Sequence, residues 1–193
     1  MMKHRTAGGA IALLCLMIGG SWVVACTDIV VGRGASVDGS VITSHTGACE
    51  NCRVHVVPAR TFPPGSKAPV YYGLQDAKRP LREYGEIIGY IPQVEQTFAY
   101  FHSGYSHINE HQLAIAESTM SQKKALQVDR ETGKQIMTIE QAMVFALQRC
   151  RSSREAVQLI TSLVETYGFL PSCGPESEAL CIADPREAWV LEV

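Results

Sequence analysis

Cys26 is the residue of this sequence around which nucleophilic chemistry is most easily built. It follows Ala25 at the end of an apolar segment and directly precedes the β-branched run TDIVV at 27–31. If the chain is cut between Ala25 and Cys26, the new first residue carries both a thiol and an α-amine. An α-amine has an unperturbed pKa of about 7.7–8.0, so it can accept the thiol proton near neutral pH without help from a histidine. The junction therefore predicts a cysteine nucleophile that carries its own base.

The segment before this cysteine predicts export. Residues 1–5 are basic, residues 10–24 are mostly apolar, and Val23 and Ala25 fit the −3 and −1 positions of a signal-peptidase site. A membrane anchor is the weaker interpretation, because the apolar run is short for a bilayer span and has no basic flank on its far side. We expect residues 1–25 to be a signal peptide. The mature protein is then secreted, periplasmic or at the cell surface, without stable membrane insertion.

The same junction also fits a lipobox, VVAC at 23–26. Lipid on the sulfur of Cys26 and acylation of its amine would abolish the nucleophile and give a lipid-anchored surface binding protein. A buried or disulfide-bonded cysteine is a third interpretation. Exported lipoproteins usually carry a flexible polar tether after the modified residue, whereas here a strand pattern begins at Thr27. A nucleophile needs such rigid placement, so we favour the enzyme.

Composition indicates one globular domain and argues against nucleic acid as a partner. The chain has 193 residues, of which 46% are hydrophobic and 19% are charged. Its net charge at pH 7 is −2, and it becomes more negative when Lys3 and Arg5 leave with the signal peptide. We find no basic patch with interleaved aromatic residues, which is the pattern typical of nucleic-acid binding.

The order of predicted elements favours the α+β class. Two β runs, at 27–31 and 41–44, flank an Asp-Gly turn at 38–39 and predict a hairpin that begins at Cys26. The sequence also predicts strands at 53–57, 87–91, 97–101, 112–116, 180–183 and 188–193. Strands, then helices, then strands indicate a sheet covered by helices.

Helix and loop signals complete this outline. Capping patterns at Thr138 and Ser152 each precede an apolar stripe at helical spacing, so two consecutive amphipathic helices are expected. The stretch 61–80 is rich in proline and glycine and predicts a loop.

Four side chains between the hairpin and the next strand have the types and spacing of zinc ligands. His45, Cys49, Cys52 and His55 form the pattern His-x3-Cys-x2-Cys-x2-His. However, His55 falls in a predicted strand, and an exported protein meets an oxidising compartment. A local disulfide or free thiols are therefore favoured, and we predict no metal and no other cofactor.

Aromatic and acidic side chains give weaker signals. Tyr100, Tyr105 and His107 are candidates for lining a substrate cleft, with aromatic packing on the sheet as the alternative. Glu110 and Glu117 lie seven residues apart, and no pair of carboxylates indicates acid–base catalysis.

Four separated blocks carry a resemblance to a known family. CTDIVVG at 26–32, ASVDGS at 35–40, NEHQLAIAEST at 109–119 and LCIADPREAWV at 180–190 resemble the dipeptidase A family of N-terminal-nucleophile (Ntn) cysteine peptidases. The blocks occur in the family's order. The chain is more distantly similar to penicillin V acylase, bile salt hydrolase and secernins, so an amidase acting on a non-peptide amide is an alternative. The resemblance implies an αββα sandwich, hydrolysis of dipeptides and no metal.

The resemblance also implies site residues, position by position. Cys26 matches the nucleophile, and Asn109 matches a position at which related hydrolases contribute to the oxyanion hole. A turn residue that tolerates left-handed geometry is the alternative for Asn109. Many relatives carry Arg, and Asp three residues on, after the Asp-Gly-Ser turn; here SHTGA at 44–48 has neither, and His45 takes the Arg position. We predict that His45 and Asp28 bind substrate, with Asp28 acting together with the α-amine of Cys26.

The sequence therefore predicts an exported cysteine dipeptidase. Residues 26–193 would form the N-terminal part of an Ntn-hydrolase domain whose αββα sandwich is incomplete, because an apolar strand ends at the last residue. A C-terminally truncated member would lack later family residues and could be inactive by itself. The expected partner is a small peptide substrate, and a homo-oligomer is compatible with the sequence.

Overall fold

A computed structural model describes residues 26–47, 54–74, 85–105, 107–128, 132–171 and 176–193. The expected signal peptide, residues 1–25, lies outside these ranges, as do Cys49 and Cys52 of the zinc-like pattern. The strands in the described ranges are β1 (Thr27–Val31), β2 (Ile42–Thr46), β3 (His55–Val57), β4 (Arg60–Thr61), β5 (Lys67–Tyr72), β6 (Glu86–Pro92), β7 (Gln96–Thr97), β8 (Tyr100–His102), β9 (Ala114–Met120), β10 (Ser177–Ala183) and β11 (Ala188–Glu192). The helices are α1 (Ile139–Arg149), α2 (Ser153–Tyr167) and a 3-10 turn (Lys124–Leu126).

The predicted hairpin at the start of the domain is confirmed. β1 and β2 pair antiparallel, from Thr27 opposite Thr46 to Val31 opposite Ile42. In the turn, the Asp38 carboxylate accepts a hydrogen bond from the Ser40 backbone N–H at 3.0 Å, and Gly39 has a φ of +75°. A side chain at Gly39 would be strained in this left-handed conformation, which explains the Asp-Gly pair.

The centre of the fold is the antiparallel sheet β11–β10–β9. Because side chains alternate along a strand, β9 and β10 present two different faces. One face carries Ile115, Leu180 and Ile182 into the core that includes α1 and α2. The opposite face carries Ala116 and Cys181, and the β1–β2 hairpin packs on it. The result is a helix layer, a sheet and a second β layer, which is an α+β arrangement.

The two predicted helices are confirmed, but their N-termini differ. The Ser152 hydroxyl accepts a hydrogen bond from the Glu155 backbone N–H at 3.3 Å, as in an N-cap. Thr138 occupies the same position before α1 but makes no side-chain capping bond, and its hydroxyl is buried without a hydrogen-bond partner. Within the described residues, neither helix is long and apolar enough to cross a membrane.

This difference gives the first prediction. Ser152→Ala should lower the free energy of unfolding by about 1 kcal/mol, because a backbone N–H at the start of α2 loses its acceptor. Thr138→Val is the matched control and should change stability little or raise it, because it removes a buried hydroxyl that has no partner. Urea denaturation followed by circular dichroism measures both, and equal losses would contradict the assignment.

The prediction that residues 61–80 form a loop is wrong for Thr61 and for residues 67–72, which lie in strands. Residues 60–61 form β4, and β5 pairs antiparallel with β6, with Pro69 opposite Tyr90. Proline is tolerated because β6 is the one neighbour that β5 has in the described chain, so the missing N–H can lie on the open edge. The register shifts between Val70 and Tyr71, which marks a bulge near this proline.

Candidate functional site

The inner face of the β1–β2 hairpin carries two predicted site residues, and a third directly precedes β1. Asp28 and His45 are direct cross-strand partners, so their side chains lie on the same face. Cys26 lies two residues before Asp28, immediately before the first residue of β1. Its side chain is partly buried and its thiol is free. Ile29 points the other way and is 57% exposed.

Asp28 is held among polar groups of the central sheet. The Ser118 hydroxyl and the Cys181 thiol, on strands β9 and β10, lie beside its carboxyl. Burial raises the pKa of Asp28 above its ordinary value of 3.8, and the nearby His45, together with these two contacts, opposes that rise. The pKa of the Cys181 thiol is raised too, first by burial and then by the charge of Asp28.

A chain of hydrogen bonds runs from His45 into the protein. The backbone N–H of Glu117 lies 3.1 Å from His45 Nδ1, and His45 Nε2 lies 3.1 Å from His107 Nδ1. His107 Nε2 lies 2.7 Å from the Ser103 hydroxyl, which donates to the Tyr105 carbonyl at 2.5 Å. Five groups from three separate segments are therefore joined in one line.

The two ends of this chain fix the direction of every hydrogen bond in it. Because the Ser103 hydroxyl donates its proton to Tyr105, its oxygen must accept from His107 Nε2–H. His107 Nδ1 is then bare and accepts from His45 Nε2–H, which leaves His45 Nδ1 as the acceptor for the Glu117 N–H. The Glu117 carbonyl is farther from His45 Nδ1, at 3.4 Å, so we assign the shorter contact. Both imidazoles are neutral in this assignment, and burial, followed by His45, lowers the pKa of His107.

A cavity of about 330 Å³ adjoins this pair of histidines. His45 and His107 line it together with residues of β2, β9 and the segment before β9. Cys26 is not among its lining residues. His107 thus lines a cavity beside the hairpin, whereas Tyr100 lines a different cavity, and their role in substrate binding stays a prediction.

Asn109 is placed away from the Cys26 face, in a structural position. Its side-chain amide donates to the carbonyls of Leu147 and Cys150, both at 2.8 Å, at the C-terminal end of α1. Its Oδ1 accepts from the backbone N–H groups of His111 and Leu113, at 3.0 and 3.1 Å. Both amide protons are thus used within the protein, and Asn109 satisfies carbonyls that a helix end leaves without partners. This arrangement supports the turn alternative rather than an oxyanion role.

The comparison with known families confirms the resemblance drawn from the sequence. The sequence model of peptidase family C69 matches residues 25–193, from the residue before Cys26 to the end of the chain. The chain belongs to this family. It is therefore a cysteine peptidase by family, and the C69 match covers the hairpin, the central sheet and both helices.

The C69 chain shows no metal-binding group in the parts that the structure describes. There, no three or more His, Cys, Asp or Glu side chains are arranged to hold an ion. His45 and His55 of the zinc-like pattern are engaged elsewhere, since His45 contacts His107 and the His55 ring lies edge-on to His102 at 5.2 Å.

Several residues near Asp28 and His45 were not predicted from the sequence. Ser103 ends the histidine chain, Ser118 and Cys181 surround Asp28, and none belongs to a recognisable short motif. Ser118 and Cys181 lie inside the blocks that carry the family resemblance, so their contact with Asp28 becomes visible only when β9 and β10 are paired.

Two buried carboxyls lie on the other face of the sheet. Glu117 and Glu178 are fully buried, and the Glu178 carboxyl meets the Glu117 carboxyl and the Thr119 hydroxyl. Two carboxyl groups can hydrogen-bond to each other only if one of them is protonated. Burial raises the pKa of Glu178, and Glu176 adds to the rise.

The raised pKa predicts how stability depends on pH. Folded protein binds more protons than unfolded protein between the unfolded pKa, about 4.3, and the raised folded value, so stability falls as pH rises through this window. Glu178→Gln should remove this loss, and the variant should be more stable than the wild type at pH 8 but similar at pH 4. Glu192→Gln, an exposed change in β11, is the control and should follow the wild type. Urea denaturation at several pH values tests this, and identical pH profiles for Glu178→Gln and wild type would overturn it.

Proposed function

We propose that this protein is an exported cysteine dipeptidase with Cys26 as its N-terminal nucleophile. The observation that carries the proposal is that Cys26 directly precedes β1, the strand that pairs Asp28 with His45, in a chain of a cysteine peptidase family. The described layers are compatible with part of an αββα sandwich, because a helix layer, a sheet and a second β layer follow one another in that order.

The base in this proposal is the α-amine of Cys26. His45, on the strand paired with β1, is a candidate for a cysteine–histidine dyad, but both of its ring nitrogens are engaged, by Glu117 and by His107. The α-amine takes the thiol proton, and the sulfur attacks the scissile carbonyl carbon. The protonated amine then gives the proton to the leaving amine as the C–N bond breaks. Water attacks the thioester, which releases the acid and restores the thiol.

The first residues of β1 support a fixed nucleophile rather than a lipid tether. The backbone N–H of Thr27 donates to the Thr46 hydroxyl at 3.0 Å, so the peptide group immediately after Cys26 is already tied to the neighbouring strand. A lipid-anchored binding protein remains the rival from another class. The intact mass of the mature chain separates the two, since a diacylglycerol and acyl chains on Cys26 would exclude a free thiol and amine.

The experiment that tests the proposal compares two mature chains that differ by one residue. One chain begins at Cys26, and the other carries a single extra glycine before it. We expect hydrolysis of unblocked dipeptides by the first only, because in the second the amine is a peptide nitrogen and has no base character. Equal melting temperatures of the two chains would show that the fold is intact. Equal hydrolysis by both would refute the N-terminal base.

A further prediction concerns recognition of the substrate amine. Asp28→Asn should raise KM about tenfold for a dipeptide with a free N-terminus, because a charge-assisted contact of about 1.5 kcal/mol is lost. An N-acetylated dipeptide should be affected little. Asp38→Asn, in the exposed turn of the same hairpin, is the matched control and should leave KM unchanged. A KM for the free dipeptide that does not change in Asp28→Asn would remove Asp28 from the binding site.

A further inference from the structure

A second cavity lies between α1 and the small strand pairs, apart from the Cys26 face. It has a volume of about 170 Å³. One stripe of α1 forms a wall, with Gln141, Val144, Phe145 and Gln148 at the helical spacing i, i+3, i+4 and i+7. Residues of β3, β4, β5, β7 and β8 form the other walls. Cys26, Asp28 and His45 do not line it.

The charges around this cavity have one sign. Its lining contains Arg60 and Lys67, both exposed, and no aspartate or glutamate. His102 is 5% exposed, and burial, followed by His55 and His107, lowers its pKa to about 4, so it is neutral at pH 7. Acidic residues outnumber basic ones in the chain, 19 to 17, so this positive lining is a local feature.

The polar groups of the lining include donors that the fold does not use. The Oε1 of Gln141 accepts from the Tyr71 backbone N–H at 3.0 Å, and the Oε1 of Gln93 accepts from the Val94 N–H at 2.9 Å. Since the oxygens are engaged, the amide N–H groups are what these glutamines can offer to a ligand. Gln148 has a buried Oε1 that makes no hydrogen bond in the described structure. A ligand hydroxyl or N–H would satisfy it.

The size and the walls of the cavity fit one aromatic ring. An apolar cavity of about 150 Å³ is large enough to bind benzene. Here Phe145 and Tyr100, which are 2% and 4% exposed, supply aromatic surface. With an apolar body, convergent amide donors and cations at the rim, the site has the features of a small-molecule pocket.

We propose that this cavity is a second binding site, which takes a single-ring carboxylic acid with its ring against Phe145 and Tyr100 and its carboxylate at Arg60 and Lys67. Among the described residues, the lining carries two cationic side chains and no carboxylate, which favours a ligand carboxylate over an ammonium group, and none of Cys26, Asp28 and His45 lines the site. The site is therefore distinct from the proposed dipeptidase site and does not depend on it.

Calorimetric titration of the mature protein with four matched compounds tests this. 4-Hydroxyphenylacetate and phenylacetate carry the ring and the carboxylate; 4-hydroxyphenethyl alcohol lacks the charge, and tyramine reverses it. We expect both acids to bind at least tenfold more tightly than the alcohol and the amine. The proposal would be overturned if neither acid bound measurably at millimolar concentration, or if tyramine bound as tightly as the acids.

Variants locate the binding. The double change Arg60→Gln with Lys67→Gln should weaken binding of 4-hydroxyphenylacetate at least tenfold, whereas Arg151→Gln, whose guanidinium lies over Phe98 outside the cavity, should not. Cys26→Ala should bind the acid unchanged, which separates this site from the catalytic one. In the wild type, the side-chain amide resonances of Gln93 and Gln141 should shift on binding. Resonances that stay fixed, or acid binding that is lost in Cys26→Ala, would contradict the assignment.

Discussion

Cys26→Ala should reduce hydrolysis of dipeptides by about a thousandfold or more without affecting the fold. The substitution removes the sulfur that forms the thioester, and loss of a covalent nucleophile has effects of at least this size. The side chain is only partly buried, so its truncation leaves the packing of the hairpin nearly unchanged. Initial rates with an unblocked dipeptide, measured beside a thermal melt of each protein, provide the test.

The other cysteine near this face supplies the control. Cys181→Ser replaces a buried thiol that contacts Asp28 but does not precede a strand or carry an α-amine. It should retain most of the wild-type rate, with any loss confined to binding. If Cys26→Ala keeps full activity, or if Cys181→Ser loses as much as Cys26→Ala, the nucleophile has been wrongly assigned.

Asn109→Leu should lower the free energy of unfolding by about 3 kcal/mol or more. The change leaves two carbonyls at the end of α1 and two backbone N–H groups of the following turn without their partners. Each buried polar group left unpaired costs about 1–3 kcal/mol, reduced where water can reach it. Urea denaturation followed by circular dichroism measures the loss.

A control in the same turn separates this structural role from a catalytic one. Gln112 is exposed and has a φ of 63°, so Gln112→Gly should be neutral or stabilising. If Asn109 instead contributed to the oxyanion hole, Asn109→Leu would keep its stability and lose kcat. That outcome would return Asn109 to the catalytic machinery and would contradict the arrangement described here.

The parts of the fold that sequence predicted are those set by local chemistry. β-branched residues on both sides of an Asp-Gly turn gave the β1–β2 hairpin, and apolar residues at helical spacing gave α1 and α2. β5 was missed because the prolines and glycines of 61–80 indicated a loop, whereas proline is excluded from a strand only where its nitrogen would have to donate. Thr138 and Ser152 carry the same capping pattern, yet only Ser152 makes the bond, so the pattern marks where a helix begins but not how it is capped.

The sequence named Cys26 from the leader before it and His45 from the family pattern, and these roles stay predictions. The pairing of His45 with Asp28 follows from the register of the hairpin. His45 and His107, which are 62 positions apart, are brought together by the packing of the hairpin beside β9. No local pattern encodes such a contact. For Asn109, the residue type suited both an oxyanion donor and a turn, and the decision required the positions of the carbonyls at the end of α1.

Glu117 belongs to two layers of the protein at once. Its backbone N–H donates to His45 on the side of the sheet that the β1–β2 hairpin covers, while its carboxyl lies beside the buried carboxyl of Glu178 on the helical side. A proton gained or lost by the two carboxyls therefore changes the charge close to the residue whose backbone N–H donates to the His45 imidazole. The chemical shift of the Glu117 backbone amide should therefore respond to titration of groups on either side of the sheet, so one resonance can be used to follow both.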